Sequence, residues 1–142
     1  MKNDRQVLGS ILKTTQLGQI GIRSALHAGL RPGLEKTLQA QLREYDMIES
    51  EAHAIASQRG WELKEIQPGR RVLTGMMTRM KFRHGNSDSK IADMMIQGNT
   101  RGMITGLKDL HRYQQQDHRV SSLSQRLLDC EAATIRQLQA FL

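Results

Sequence analysis

Apolar and small residues recur at intervals of three and four along most of the chain, which is the spacing of one face of an α-helix. In the first segment this face comprises Leu8, Ile11, Thr15, Gly18, Ile22 and Ala25. A second face follows the break at Pro32 and comprises Leu34, Leu38, Tyr45, Ile48, Ala52 and Ile55, with Gln41 interrupting it. The pattern predicts helices over about residues 4–28 and 33–58, and the short loop between them makes them antiparallel neighbours. Asp4 is the predicted N-cap of the first helix, and Gly60 the predicted end of the second.

The second half of the chain repeats this organisation. Ser87 or Asp88 is a predicted N-cap for a helix over about residues 87–114, and Asp117 caps a last helix over about residues 117–142. The apolar face of the last helix comprises Val120, Leu123, Leu127, Cys130 or Glu131, Thr134, Leu138 and Phe141. Two hairpins of long helices, joined by a connector over residues 59–86 that contains a short helix, predict an all-α protein. The predicted architecture is an antiparallel four-helix bundle with one long crossover, forming a single domain over residues 1–142.

Glycines inside the helical segments form a second pattern. Gly98, Gly102 and Gly106 recur every four residues and therefore share one face of the third long helix. Each interior glycine costs about 1 kcal/mol relative to alanine, so three in one helix require a structural reason. Gly18 and Gly21 give the first helix a matching face of small residues. We therefore predict close packing between these two helices, and a loss of several kcal/mol when leucine replaces Gly102.

Composition limits the class of protein. The 142 residues suffice for one domain with one core, and a single cysteine, Cys130, excludes an intramolecular disulfide. No apolar stretch approaches the roughly 18 residues of a transmembrane helix, and no N-terminal segment has the pattern of a signal peptide. We expect a soluble, cytoplasmic protein. A homodimer is a further expectation, because the methionine-rich connector could leave an apolar face uncovered.

Positive charge is concentrated in the connector. Residues 59–84 hold seven basic side chains against two acidic ones, which accounts for most of the net charge of +7. Such a patch suits an anionic partner, either nucleic acid or a membrane surface, although only Trp61 and Phe82 are available for stacking on bases. An ordinary solvated surface is the alternative interpretation. The candidate residues are Arg70, Arg71, Arg79, Lys81 and Arg83.

The helix lengths, the connectivity and the segments EYDMIESEA and LLDCEAATI together resemble small bacterial ferritin-like proteins of unknown function. More distantly, the chain is similar to rubrerythrin and to spore-coat-type bundles. The resemblance implies a four-helix bundle that in di-iron relatives carries one Glu on each of two helices and Glu-x-x-His on the other two. Here Met47 and Thr134 stand at the positions of the two histidines, and the first helix has no glutamate.

Only Glu44 and Glu131 remain of the ligand set that the resemblance implies. They are either surface or half-buried acids paired with Arg or Gln, or the remnant of a metal site, facing each other in the core. In the second case Gln16, Gln41 and Asn99 are candidates for a polar network around them. No cofactor is predicted, and a metal ion at low occupancy is the alternative. We expect purified protein to carry no stoichiometric iron.

Three hypotheses for function follow. The first is a non-catalytic ferritin-like bundle that acts through its surface as an oligomeric or partner-binding module. The second is a metal-binding protein or metal-dependent enzyme that uses a reduced site around Glu44 and Glu131. The third is binding of an anionic partner through the connector. No catalytic residue is predicted, because the histidines are scattered, Cys130 lies on a core-facing stripe, and the glycine series lacks the Lys-Ser/Thr of a phosphate loop.

Overall fold

The computed structural model describes residues 1–67, 69–71 and 87–142 of the chain. Within these ranges the protein is all-helical, which confirms the predicted class, and it contains no β-strand beyond an isolated bridge between Lys2 and Tyr113. The long helices are α1 (Asp4–Leu26), α2 (Pro32–Arg59), α3 (Asp88–His111) and α4 (His118–Leu138), and a 3₁₀ turn (Gln139–Phe141) follows α4. Their ends lie close to the predicted ones. Residues 69–71 are helical, and the rest of the predicted short helix lies outside the described residues.

Local signals explain most helix ends. Pro32 occupies the first turn of α2, and Gly60 ends that helix with a φ of 66°, a conformation that glycine adopts without steric cost. Ser87 caps α3 by accepting from the amide of Lys90, and Asp117 caps α4 by accepting from the amide of Arg119.

The predicted cap of α1 is wrong by one residue. Asn3 caps the helix and forms a reciprocal capping box with Gln6. Asp4 lies in the first helical turn and is buried, and its carboxylate accepts from the hydroxyl of Tyr113 and from the amide of Gln116. Asp4 therefore ties α1 to the turn before α4 instead of ending a helix.

Neighbouring helices run antiparallel. α1 packs on α2 and α3, and α4 packs on the same two helices. The start of α1 lies at the end of α3, where Lys2 and Ser10 both bond the buried Asp109. The end of α2 lies at the start of α4, where Arg59 donates to Asp117 at 2.9 Å. None of the described helices is long and apolar enough to cross a bilayer.

Large apolar side chains pack towards both ends of the core. Val7, Leu8 and Ile55 lie towards one end, whereas Leu34, Ile91 and Leu138 lie towards the other, and all six are at most 2 % exposed. Between these ends the helices bury a layer of polar side chains, which we call the polar layer; it comprises Thr15, Gln16, Gln19, Gln41, Asn99 and Glu131. Burying polar side chains lowers the stability of a protein unless they form hydrogen bonds. A layer of them in the core therefore requires an explanation, and we look for a functional site there.

Candidate functional site

A cavity of about 270 Å³ lies between α1 and α3 at the height of the polar layer. We call it the α1–α3 cavity. Gly18 and Gly21 line it from α1, and Gly98 and Gly102 line it from α3. Tyr45 and Gln41 line it from α2, and Glu131 lines it from α4. The other lining residues lie on α1 and α3: Thr14, Leu17, Ile22, Met95, Asn99, Arg101 and Thr105. Glycine on both facing helices thus leaves room that larger side chains would fill.

The glycines do not pack on one another as predicted. A methyl group built on Gly18 would lie 2.3 Å from the Tyr45 ring, and one built on Gly102 would lie 2.1 Å from Oε2 of Glu131. A methyl group built on Gly106 would lie 3.0 Å from Cδ2 of Leu128. Built on Gly21 or Gly98, a methyl group would meet no described atom within 4 Å. Gly18, Gly102 and Gly106 therefore admit side chains from α2 and α4, whereas Gly21 and Gly98 border open space.

Glu131 is the central acidic group of the site. Its position on the core-facing stripe of α4 places it inside the protein, where it is 1 % exposed. Oε1 is buried and has no hydrogen-bond partner among the described residues. Burial raises the pKa of this carboxyl group to about 8, because the charged form loses its hydration without gaining a partner. At neutral pH the carboxyl group is therefore largely protonated.

A hydrogen-bonded triad lies beside Glu131. Gln41 Nε2 donates to Asn99 Oδ1 at 2.6 Å and to the Tyr45 hydroxyl at 3.1 Å, and that hydroxyl donates to Asn99 Oδ1 at 3.4 Å. Asn99 Nδ2 donates to the carbonyl of Met95 at 2.8 Å. Burial, and then the negative charge of Glu131, raise the pKa of Tyr45, so the phenol stays neutral. Oε1 of Gln41 is buried and unpaired within the described part of the chain.

Of the three predicted polar-core residues, the structure brings Gln41 and Asn99 together beside Glu131 and places Gln16 elsewhere. Gln16 Nε2 donates to Glu49 at 3.1 Å and to Glu65 at 3.2 Å, and its Oε1 accepts from the amide of Ile66 at 3.2 Å. Gln16 therefore anchors the segment that follows α2 to the buried face of α1. Its role is structural, because each of its polar atoms has a partner.

Glu44 does not meet Glu131. Its Oε1 accepts from Arg126 Nε at 2.6 Å, and its side chain is 32 % exposed. Glu44 lines a wider groove of about 600 Å³ between α2 and α4, whereas Glu131 lines the α1–α3 cavity. Glu44 thus follows the first of the two interpretations, a half-buried acid paired with Arg, because its position around the α2 axis directs it to Arg126. The second, in which the two carboxylates face each other in the core, is not what the structure shows. Among the described residues no three His, Cys, Asp or Glu side chains form a group suited to a metal ion.

Cys130 lines the groove between α2 and α4 and is half-buried. Burial is the main reason that the pKa of its thiol is raised to about 12, and the neighbouring Glu44 carboxylate raises it further. The thiolate, which is the nucleophilic form, is therefore scarce at neutral pH. This agrees with the prediction of an inert thiol.

The predicted basic patch lies only partly within the described residues. Arg70 is exposed, and Arg71 is half-buried and donates from Nε to the carbonyl of Ile66 at 2.9 Å. Arg79, Lys81 and Arg83 lie outside the described residues. Binding of an anionic partner through this patch stays a prediction.

Sequence reasoning missed the role of Tyr45, which it assigned to the apolar stripe of α2. A signal was available, because Gln41 and Tyr45 are four residues apart and must share a helix face. A polar pair on a core stripe requires polar partners from other helices. Asn99, flanked by the glycines of α3, was the available candidate for that partner.

Comparison with protein-family models, with curated proteins and with solved structures gave no match for this chain. The ferritin-like resemblance therefore stays a prediction.

Proposed function

We propose that this chain is a non-enzymatic, ferritin-like four-helix bundle that binds a small ligand in the α1–α3 cavity. The antiparallel packing of neighbouring helices supports the architecture, as does the long segment that separates α2 from α3. Such bundles build their ligand sites in the core, from side chains on facing helices. Homodimer formation, expected from the sequence, is a separate proposal that size-exclusion chromatography with light scattering measures.

One observation carries the ligand-binding function: the buried, unpaired carboxyl group of Glu131 lines a cavity. A buried polar group without a hydrogen bond destabilises a protein by about 1–3 kcal/mol. An apolar residue at position 131 would avoid this loss. A ligand that forms a hydrogen bond with the Glu131 carboxyl group would satisfy this group and offset the loss of stability, so ligand binding explains why an acid stands at this position.

The lining residues favour binding over catalysis. Glu131, Tyr45 and Arg101 are the titratable groups that line the cavity. Oε1 of Glu131 has no hydrogen-bond partner in the described part of the chain, so no proton relay runs through it, and the pKa of Tyr45 is raised, so its phenolate is not available as a base. A single buried carboxyl group beside glycines and the apolar side chains of Ile22 and Met95 suits recognition of one polar group on a small ligand.

The test is titration of ¹⁵N-labelled protein with n-butyramide, a neutral probe small enough for the cavity. We expect the amide resonances of Gly18, Gly98 and Gly102 to shift with a saturable dependence on probe concentration. Gly98→Leu should abolish these shifts, because the leucine side chain enters the open space beside Gly98.

Gly69→Leu is the matched control, because Gly69 is an exposed glycine outside the cavity and a methyl group built on it would meet no described atom within 4 Å. This variant should bind the probe like the unmodified chain. Shifts that persist in Gly98→Leu would contradict the proposal, as would the absence of saturable shifts in the unmodified chain both with n-butyramide and with its charged counterpart n-butylammonium.

A further inference from the structure

The hydrogen bonds around the α1–α3 cavity are unevenly distributed between donors and acceptors. The side-chain donors of Gln41, Tyr45 and Asn99 all have acceptors inside the protein. Among the described residues that line the cavity, two buried polar atoms have no hydrogen-bond partner, and both are oxygens: Oε1 of Gln41 and Oε1 of Glu131. Once the Glu131 carboxyl group is ionised, both oxygens are acceptors only, and a ligand that donates N–H or O–H groups would complete their hydrogen bonds.

Charge narrows the class of ligand further. Glu131 is the one carboxyl group among the lining residues, and it has no cationic partner among the described residues. Arg101 on α3 also lines the cavity but is exposed, so its charge is hydrated. Tyr45 faces the cavity from α2 as a neutral phenol, and α1 contributes no charged lining residue. A cationic donor placed against Glu131 would gain a charge-assisted hydrogen bond, which is roughly twice as strong as a neutral one.

The other lining residues limit the size and polarity of the part of the ligand that does not contact Glu131. Gly18, Gly98 and Gly102 expose backbone, and Ile22 and Met95 add apolar side chains. A volume of about 270 Å³ lies just below the roughly 300–1,000 Å³ of pockets for drug-sized ligands. The cavity therefore suits a short alkyl chain and excludes a bulky or multiply charged group.

We propose that the α1–α3 cavity binds a small primary alkylammonium ion, with its N–H groups donating to Glu131 and its alkyl chain lying along the glycines of α1 and α3. This inference rests on the proposed ligand-binding function and specifies the ligand class. The buried carboxyl group releases its proton when the ammonium ion binds, and the ion pair replaces the neutral acid. No covalent bond forms or breaks apart from this proton transfer to solvent.

Proton release makes the affinity depend on pH. Burial raises the pKa of Glu131 to about 8. Below that pH the ammonium ion binds only when Glu131 loses its proton, whereas above it Glu131 is already ionised, so binding releases no proton. The association constant for n-butylammonium should rise roughly fiftyfold from pH 6 to pH 8 and level off above about pH 9. Cys130, the neighbour of Glu131 on α4, has a pKa of about 12 and does not titrate in this interval.

The experiment is isothermal titration calorimetry of the full chain with n-butylammonium and with n-butyramide, at pH 6 and pH 8. In two buffers of different ionisation enthalpy, binding of n-butylammonium at pH 6 should release close to one proton, and binding of n-butyramide none. Glu131→Gln should lose the pH dependence and the preference for the cation while it still binds n-butyramide. Glu44→Gln is the matched control, because Glu44 is paired with Arg126 outside the cavity, and this variant should behave like the unmodified chain.

Three results would overturn the inference and leave the proposed function standing: n-butylammonium binds no better than n-butyramide at pH 8, its binding releases no proton at pH 6, or Glu131→Gln keeps the pH dependence. If neither probe binds, the proposed function fails as well. The proton count uses the unmodified chain, so it decides the matter even if Glu131→Gln does not fold.

Discussion

Gly98 and Gly102 occupy the same face of α3, but their surroundings differ. A methyl group at Gly98 would meet no described atom within 4 Å, whereas one at Gly102 would take the place of the Glu131 carboxyl group. Glycine in a helix interior is less favourable than alanine by about 1 kcal/mol, so the opposing contact decides the sign of the change in stability.

We expect Gly98→Ala to raise the free energy of unfolding by about 0.5–1 kcal/mol, because alanine has the higher helix propensity and its methyl group displaces no described atom. Gly102→Ala should be less stable than Gly98→Ala by about 1–3 kcal/mol, because the buried carboxyl group must move out of its place. Urea denaturation monitored by circular dichroism measures both. Combining Gly102→Ala with Glu131→Ala should recover the helix-propensity gain, since the clashing atoms are gone. Equal stabilisation by the two single substitutions would show that Glu131 does not rest on Gly102.

Individual helices are held at their ends by a few side chains, and Asp117 has the densest set of contacts. It caps α4 and accepts from Arg59 at 2.9 Å and from Arg119 at 2.9 Å. Hydrogen bonding to Arg119 is the main reason that the pKa of Asp117 lies well below its ordinary value. The cap thus joins the start of α4 to the end of α2.

We expect Asp117→Ala to lower the free energy of unfolding by about 1–2 kcal/mol at pH 7, because α4 loses its cap. The folded protein holds this carboxylate ionised more strongly than the unfolded chain does, so its contribution is present above about pH 4 and disappears as the pH falls further. The difference between variant and unmodified chain should therefore shrink in acid.

Ser87→Ala removes the neutral cap of α3 and is the matched control for Asp117→Ala. Its effect, about 1 kcal/mol, should stay constant with pH. Chemical denaturation at pH 3 and pH 7 compares the two variants. A pH-independent effect of Asp117→Ala would mean that the ion pairs contribute nothing.

The stability of the protein as a whole should depend on pH through Glu131. In the folded state the pKa of this carboxyl group is about 8, against 4.5 for an unperturbed glutamate. Between these values the folded chain binds a proton that the unfolded chain has lost, so the free energy of unfolding falls as the pH rises. The fall from this one group amounts to at most about 1.4 kcal/mol per pH unit.

Glu131→Gln removes this proton uptake. We expect the variant to gain stability relative to the unmodified chain as the pH rises from 5 to 8, whatever their difference at pH 5. Urea denaturation at several pH values provides the two curves. Parallel curves over this interval would show that Glu131 is hydrated or paired in solution, and would remove the basis of the ligand-binding proposal.

The sequence determined the features of this protein that depend on a few neighbouring residues. The ends of α2, α3 and α4 follow from Pro32, Gly60, Ser87 and Asp117, because capping and left-handed turns are local interactions. The apolar stripes follow from helical periodicity and predicted which faces of α1, α2 and α4 are buried. Asn3 and Asp4 compete for the same cap, and only the distant Tyr113 decides which of them is buried.

The tertiary structure alone decided what lies opposite each face. Periodicity placed Gly98 and Gly102 on one face of α3, but whether another helix, a side chain or a cavity faces them depends on how far apart α1 and α3 lie. Glu44 and Glu131 were equivalent in sequence, since each is an acid on or beside an apolar stripe. A modest difference in position around the helix axis directs Glu44 to Arg126 and Glu131 into the polar layer. Burial without a partner, which gives Glu131 its raised pKa, arises from contacts between helices far apart in the chain, and no local pattern encodes it.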